Sequence, residues 1–256
     1  MNVIAIIPAR MASTRLPGKP LADILGMPMI GHVFHRAKLC DSLQQVYVAT
    51  CDEAIATYIA SIGGSVVMTS PTHERASDRA AEAMATIEAQ TGRRVDIVVM
   101  IQGDEPMITP GMIEAAIEPL RTNPDIGVVN VMTEMRSLTE FEDPNEVKVV
   151  VDREGHALYF SREPIPSRKK GASSVPMRKQ VCIIPFRRDF LLAYNAWEQT
   201  PLEIAESIDM NRVLEHGHRI QMVSRHECTY SVDTPDDLTH VAAMMANDPL
   251  IRVYAS

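Results

Sequence analysis

The sequence predicts an α/β protein with a mostly parallel central sheet, on three observations. Short runs rich in branched apolar residues, at 3–7, 45–50, 65–68 and 95–101, alternate with segments of helical periodicity. These runs are near-continuously apolar, as strands buried on both faces are. From Ile126 onward strand-like runs follow one another closely, two of them joined by the turn-forming residues 152–155, which marks an antiparallel extension.

Each element has its own justification. Residues 3–7 form the first strand, and Pro8 together with Pro17-Gly18 makes a loop of the stretch after it. Ile30, Val33, Phe34 and Ala37 recur at helical spacing up to Cys40-Asp41. A strand at 45–50 leads to Asp52, read as an N-cap, and to a helix through 61 that Gly63-Gly64 stops. A third strand at 65–68, a polar stretch at 73–79 and an alanine-rich helix to about 90 come next. The strand at 95–101 ends in Gln102-Gly103-Asp104-Glu105-Pro106, and Thr109-Pro110 opens another helix.

The second half reads as strands at 126–132, 147–151, 156–160 and 180–186, with a basic small-residue loop at 168–174. Helices at 187–197 and 201–215 and a strand at 219–223 come after them. Thr234 as N-cap, Pro235 at the first position and Asp236 and Asp237 in the first turn make the clearest helix start in the chain. The repeated strand-helix-strand order calls for right-handed crossovers. With no repeat, low-complexity tract or separating linker, the reading is a single domain over 1–256 carrying an inserted arm at about 133–186.

Composition narrows the function. A chain of 256 residues with 46% hydrophobic and 23% charged residues is an ordinary globular protein. A net charge of −8 argues against general nucleic-acid or membrane-surface binding and leaves anion binding to local clusters. Cys40, Cys51, Cys182 and Cys228 form no C-x-x-C pair, which favours reduced thiols over metal ligation. No apolar run approaches the length of a membrane span and no signal peptide opens the chain, so the expected location is the cytoplasm.

The opening loop, at the carboxyl end of a buried strand, carries Arg10, Arg15 and Lys19 with Ser13 and Thr14 between them. Ligands of open α/β sheets bind at such strand ends, and the expected guest is polyanionic; a solvated basic loop is the competing reading. Neither the Walker nor the dinucleotide spacing is present. Asp104 and Asp233 each follow an apolar run and precede a proline-containing turn. Brought together, they offer the hard oxygens that magnesium takes beside water and phosphate; taken singly, each reads as a turn or capping aspartate.

Pro8-Ala9-Arg10, the stretch from Ser13 to Leu21 (STRLPGKPL) and Pro28-Met29-Ile30 closely resemble the signature of the 3-deoxy-manno-octulosonate cytidylyltransferase family. So do Gln102-Gly103-Asp104-Glu105-Pro106, Val232-Asp233-Thr234-Pro235-Asp236-Asp237 and Ala157-Leu158-Tyr159-Phe160-Ser161-Arg162. The resemblance spans nearly the whole chain and implies a three-layer α/β/α nucleotidyltransferase fold with a dimerisation arm. It implies CMP transfer from CTP to an acid sugar for a lipopolysaccharide or capsule, with pyrophosphate released. Nucleotide binding would fall to Pro8, Ala9, Arg10, Ser13, Arg15, Lys19, Arg75, Ser77, Arg79 and Gln102. Asp104 and Asp233 would hold Mg2+, and Arg10, Lys19, Asp104 and Asp233 would carry catalysis. Arg162, Gln180, Asp209 and Met210 fall on the sugar side, and the partners implied are CTP, the acid sugar and a second copy in a homodimer, with no nucleic acid or membrane.

Some positions depart from the family pattern. His73-Glu74-Arg75-Ala76-Ser77-Asp78-Arg79 stands where the family reads His-x-Ser-Gly-Thr-x-Arg, which adds bulk and a cation beside the expected base. Lys179-Gln180-Val181-Cys182-Ile183-Ile184 lacks the family's histidine and glycine, and Met210 replaces a glutamine. Fewer hydrogen-bond partners for sugar hydroxyls point to a divergent paralogue whose acid differs: an amino-sugar acid, a sialic-type acid or a phosphonate. A non-catalytic nucleotide-binding paralogue is the other alternative, disfavoured by retention of both aspartates.

Overall fold

The computed structural model describes residues 1–13, 15–171 and 174–255, so the readings of Thr14, Ala172 and Ser173 lie outside the described residues. The chain forms two compact units, Met1–Glu114 with Thr229–Ser256 and Ala115–Cys228.

In the first unit, β1 (Val3–Ala9) is buried at every position. After one 3-10 turn at Lys19–Leu21, a tight ribbon of β2 (Asp23–Ile24) and β3 (Met27–Pro28) leads into α1 (Met29–Lys38). Then come β4 (Gln45–Thr50), α2 (Glu53–Ser61), β5 (Ser65–Met68), α3 (Ala76–Thr91) and β6 (Ile97–Ile101). The strands lie parallel in the order β6-β1-β4-β5, with Ile4 opposite Gln45, Val3 opposite Ile97 and Tyr47 opposite Ser65. This is the parallel sheet that the doubly buried runs predict.

The first strand is longer than the sequence suggests. It runs through Pro8 to Ala9, because pairing with β6 stops at Ile6 and only β4 accompanies the strand beyond. A proline is tolerated where the ladder asks for no donor. Gly103, just past β6, packs between α1 and the end of β1, where a Cβ would meet Ile30 Cδ1 at 2.9 Å and the Pro8 carbonyl at 3.4 Å. A side chain at 103 would therefore have to push aside the tip of Ile30 in α1, while it would only touch β1.

The chain leaves this unit within α4 (Pro110–Thr122) and returns to it at Thr229. Residues 230–233 are extended but form no strand, and one bond, Val232 N–H to the Asp104 carbonyl at 3.0 Å, lays them beside the β6 turn. In α9 (Pro235–Met245) the Thr234 hydroxyl accepts from Asp237 N–H at 3.2 Å and the Asp237 carboxylate accepts from Thr234 N–H at 2.8 Å. Thr234 is the expected N-cap, and Asp237 makes of it a capping box. Val241 and Met245 pack with Ile24, Met29, Met107 and Val232. The short α10 (Ile251–Tyr254) ends on Arg36 of α1, whose guanidinium donates to Tyr254 Oη at 3.0 Å and pairs with Asp248.

The second unit contains β7 (Val129–Glu134), α5 (Leu138–Glu142), β8 (Lys148–Val151), β9 (Ala157–Ser161), β10 (Arg178–Val181), β11 (Ile183–Arg187), α6 (Arg188–Ala196), α7 (Pro201–Glu206), α8 (Met210–Glu215) and β12 (Gln221–Arg225). Its sheet has the order β12-β7-β10-β8-β9, antiparallel except where β12 runs parallel to β7. The segment 133–186, read as an arm, lies within this unit.

Two expected elements are divided. The strand at 180–186 breaks at Cys182, where the Asn130 amide takes the carbonyls of Val181 at 2.8 Å and Ile183 at 3.3 Å. The helix at 201–215 breaks at Ser207, which adopts φ 54°. There the Arg162 guanidinium takes the Glu206 carbonyl at 2.7 Å and the Ser207 carbonyl at 3.4 Å, acceptors that a continuous helix would use itself.

Candidate functional site

The opening loop is held by its backbone. Gly18, at φ 72°, donates to the Met11 carbonyl at 3.4 Å and accepts from Leu21 N–H at 2.9 Å. That left-handed turn aims Lys19 back toward the tip of β6. Lys19 Nζ lies 2.7 Å from Asp104 Oδ2 and 2.9 Å from Asp233 Oδ1, so one ammonium draws both aspartates together. Arg15 adds a contact of 2.8 Å to the same Asp233 oxygen. Burial works against the charge on Lys19, but Asp104 and Asp233 outweigh it and raise its pKa above the ordinary 10.5.

Asp104 Oδ1 is shielded from solvent and has no hydrogen-bond partner. A carboxylate oxygen in that condition suits a hard cation, and Asp104 and Asp233 are the pair in this site that could hold one. A second cluster of ligand-type atoms, Asp152, Glu154 and His156, lies within 4.8 Å in the β8–β9 turn. Asp152 Oδ1 there accepts the Glu154 and His156 backbone N–H groups, which is turn chemistry.

Beside the two aspartates lies a cavity of about 380 Å³ within the first unit. Pro8, Ala9, Arg10, Ser13, Arg15, Lys19 and Gln102 line it from the strand ends, and Arg75 and Arg79 from the start of α3. Ser77, expected on the nucleotide side, is instead buried in the first turn of α3 and is not part of that lining. Arg79 is 3% exposed; its Nη1 donates to the Ser70 carbonyl at 3.3 Å and to the Thr69 hydroxyl at 2.5 Å, while Nη2 is buried with no partner. An unmatched guanidinium donor beside a cationic cavity suits an anionic ligand.

Two further carboxylates hold segments beside this cavity, through partners that the sequence did not show. Asp52, expected to cap α2, makes no side-chain cap and instead accepts Met11 N–H of the opening loop at 2.8 Å. Glu82, on α3 one turn after Arg79, accepts Ser70 N–H at 2.9 Å and pairs with the His73 imidazole, while the His73 carbonyl receives Arg10 Nη1 at 3.5 Å. Burial alone would raise the Glu82 pKa; the Ser70 N–H, His73 and Arg79 hold it below its ordinary value. Spacing along α3 was the one available signal, since positions 79 and 82 share a helix face.

The four sugar-side candidates all belong to the second unit. Arg162 spends its guanidinium on the carbonyls of Glu206, Ser207 and Pro144, the last at 2.8 Å. Gln180 Nε2 donates to Asn130 Oδ1 at 2.5 Å. Asp209 precedes α8 and accepts the Tyr194 hydroxyl on its carbonyl at 3.1 Å, and Met210 is buried at the first position of that helix. Glu206, which sequence reading passed over, accepts from the Tyr159 hydroxyl, the Ser161 hydroxyl and Arg162 N–H at 2.8–2.9 Å.

Comparison with known proteins agrees with this architecture. The family model described as cytidylyltransferase matches residues 4–220. A 3-deoxy-manno-octulosonate cytidylyltransferase of Geobacter metallireducens is 46% identical, covering 96% of this chain and 98% of its own. The solved structure of CMP:2-keto-3-deoxy-manno-octonic acid synthetase complexed with CTP is 38% identical, with a TM-score of 0.87 over 96% of this chain and 99% of that one. A cytidylyltransferase from Leptospira borgpetersenii, 19% identical, shares the fold with a TM-score of 0.64 over 97% of this chain and 88% of its own. Among the described residues no helix is long and apolar enough to cross a membrane. The nucleotidyltransferase architecture, the family match and the full-length relatives lead to one conclusion: the chain is an enzyme that belongs to the cytidylyltransferase family.

Proposed function

We propose that this enzyme transfers CMP from CTP to the anomeric hydroxyl of 3-deoxy-manno-octulosonate or a close acid sugar, for a surface glycan. The observation that carries the reading is the cationic cavity bounded by Asp104 and Asp233. A triphosphate needs several positive groups and a pair of hard oxygen ligands, and the cavity offers both. The names of the full-length relatives supply the acceptor.

In this mechanism the acceptor oxygen forms a bond to the α-phosphorus as the bond to the β-phosphate oxygen breaks and pyrophosphate leaves. The acceptor's proton passes to water. Arg10, Arg15, Lys19 and the spare Arg79 donor bind the phosphates and offset charge on the leaving group, while Gln102 and Arg75 bound the nucleotide within the cavity. Asp104 and Asp233 would hold Mg2+, which supplies Lewis-acid polarisation of the phosphate and the acceptor oxygen. No protein nucleophile is required, so catalysis is positioning and electrostatics. The reading carries with it a cytoplasmic location and a homodimer.

A second reading keeps the chemistry and changes the acid. It rests on Gln180, whose amide gives one of its N–H groups to Asn130, and on buried Met210, which offers no donor. Pyrophosphate release is to be measured with Mg2+, CTP and a panel of octulosonate, its amino analogue, a sialic-type acid and a phosphonate. Fast release with octulosonate supports the first reading. Release only with another acid moves the assignment to that acid, and no release from any member refutes both.

A further inference from the structure

The ammonium of Lys19 already neutralises the two carboxylates that would hold a divalent cation. It touches Asp104 Oδ2 at 2.7 Å and Asp233 Oδ1 at 2.9 Å, and its side chain is 13% exposed. A cation held by both carboxylates would have to compete with that positive nitrogen for them. The displaced ammonium would also need a new anionic partner, since moving a half-buried charge away from both carboxylates without one is costly. The backbone offers little freedom to help. Lys19 N–H is bonded to the Leu16 carbonyl at 3.1 Å, and Ala22 N–H to the Lys19 carbonyl at 3.1 Å. The flexible four-carbon side chain is what can move, and lysine is suited to that because its ammonium is a point charge with no fixed fork geometry.

The cavity beside it holds the other half of the argument. Arg10, Arg75 and Arg79 line it, and an anion entering there places oxygens next to Lys19. A triphosphate brings enough negative charge to draw the ammonium off the aspartates, which among the described residues leaves Arg15 on one oxygen of Asp233 as the cation beside them. Two carboxylates and a polyphosphate in one place then attract a divalent cation far more strongly than the lysine-bridged aspartates do.

We propose that Lys19 is a built-in counter-ion that closes the Asp104–Asp233 site to free divalent cations and yields it only when a nucleoside triphosphate takes the ammonium. Nucleotide then binds first, and the metal arrives with it or after it. The inference rests on the reading of Asp104 and Asp233 as metal carboxylates, and it adds the order of loading.

The test is Mn2+ binding by electron paramagnetic resonance, with no acceptor sugar present and therefore no turnover. Lys19→Met is expected to bind Mn2+ alone at least tenfold more tightly than the wild type, and adding Asp104→Asn to it is expected to abolish that gain. An equal affinity in the wild type and Lys19→Met overturns the proposal. Should Lys19→Met fail to fold, the wild type decides: Mn2+ binding as tight without CTP as with it overturns the proposal, and a clear dependence on CTP supports it. Asp104→Asn in the wild-type background separates the two levels. If it binds Mn2+ with CTP as tightly as the wild type, the two-aspartate reading itself fails. If it binds weakly while the wild type holds Mn2+ tightly without CTP, only the counter-ion role fails.

Discussion

Each unit of the molecule contains a cation held by carboxylate, and the two are built to opposite ends. In the second unit Arg212 grips Glu203 with two bonds, Nε to Oε2 at 2.7 Å and Nη2 to Oε1 at 2.6 Å, while its guanidinium lies 4.7 Å from the Tyr194 ring centroid. Glu203 is fully buried, and its side chain also accepts Thr200 N–H at 3.4 Å at the start of α7. In the first unit a single ammonium is divided between two aspartates, one of which keeps a shielded oxygen without a partner. A matched fork has no reason to open, whereas a point charge shared by two anions is ready to exchange. The matched fork ties α7 to α8, whereas the shared ammonium leaves one carboxylate oxygen unmatched.

The largest effect that tests this contrast is on turnover. Asp104→Ala should lower kcat/KM at least a thousandfold, about 4 kcal/mol of transition-state stabilisation, with the circular dichroism spectrum unchanged. Near-normal pyrophosphate release would remove Asp104 from the chemistry. The mirror experiment is on stability: Glu203→Ala strands Arg212 in the interior and should cost about 3 kcal/mol in urea unfolding. A variant as stable as the wild type would show that the buried fork is dispensable.

The smallest effect concerns Glu206, which has features of both arrangements: many donors, yet partial exposure. Burial alone would raise its pKa, but Arg162 N–H, the Ser161 and Tyr159 hydroxyls and the Arg162 charge together hold it below its ordinary 4.5. A carboxyl depressed in the folded state contributes stability above its ordinary value and loses it as pH falls through the lower folded one. Glu206→Gln should therefore give a shallower loss of stability below pH 4.5 than the wild type shows, read as melting temperature against pH. Superimposable acid limbs would rule out that role.

Much of the first unit was legible because its signals are local. A strand buried on both faces, such as β1 or β6, has to be apolar at consecutive positions, and that pattern is visible without partners. Thr234-Pro235 announces its helix in the same way. The opening cations and the β6 turn were legible as contiguous motifs. What Lys19 touches was not, since its partners stand 85 and 214 positions away. Asp52 stands at the N-cap position that was expected, but its carboxylate has two possible uses there, and the N–H of Met11 won over the helix. The breaks at Cys182 and Ser207 escaped notice because side chains from distant residues, Asn130 and Arg162, take the carbonyls that regular structure would have used.

The return of the chain at Thr229 to the unit it left near Glu114 has a consequence for the protein's synthesis. A ribosome that has made Lys19, Asp104 and the whole of the second unit has still not made Asp233. Until that residue emerges, the nascent polypeptide carries its basic loop with only one of the two aspartates that hold it. An interrupted translation product therefore lacks half of the carboxylate pair however well its earlier part has folded, and Lys19 gains its second partner only after that aspartate has left the exit tunnel.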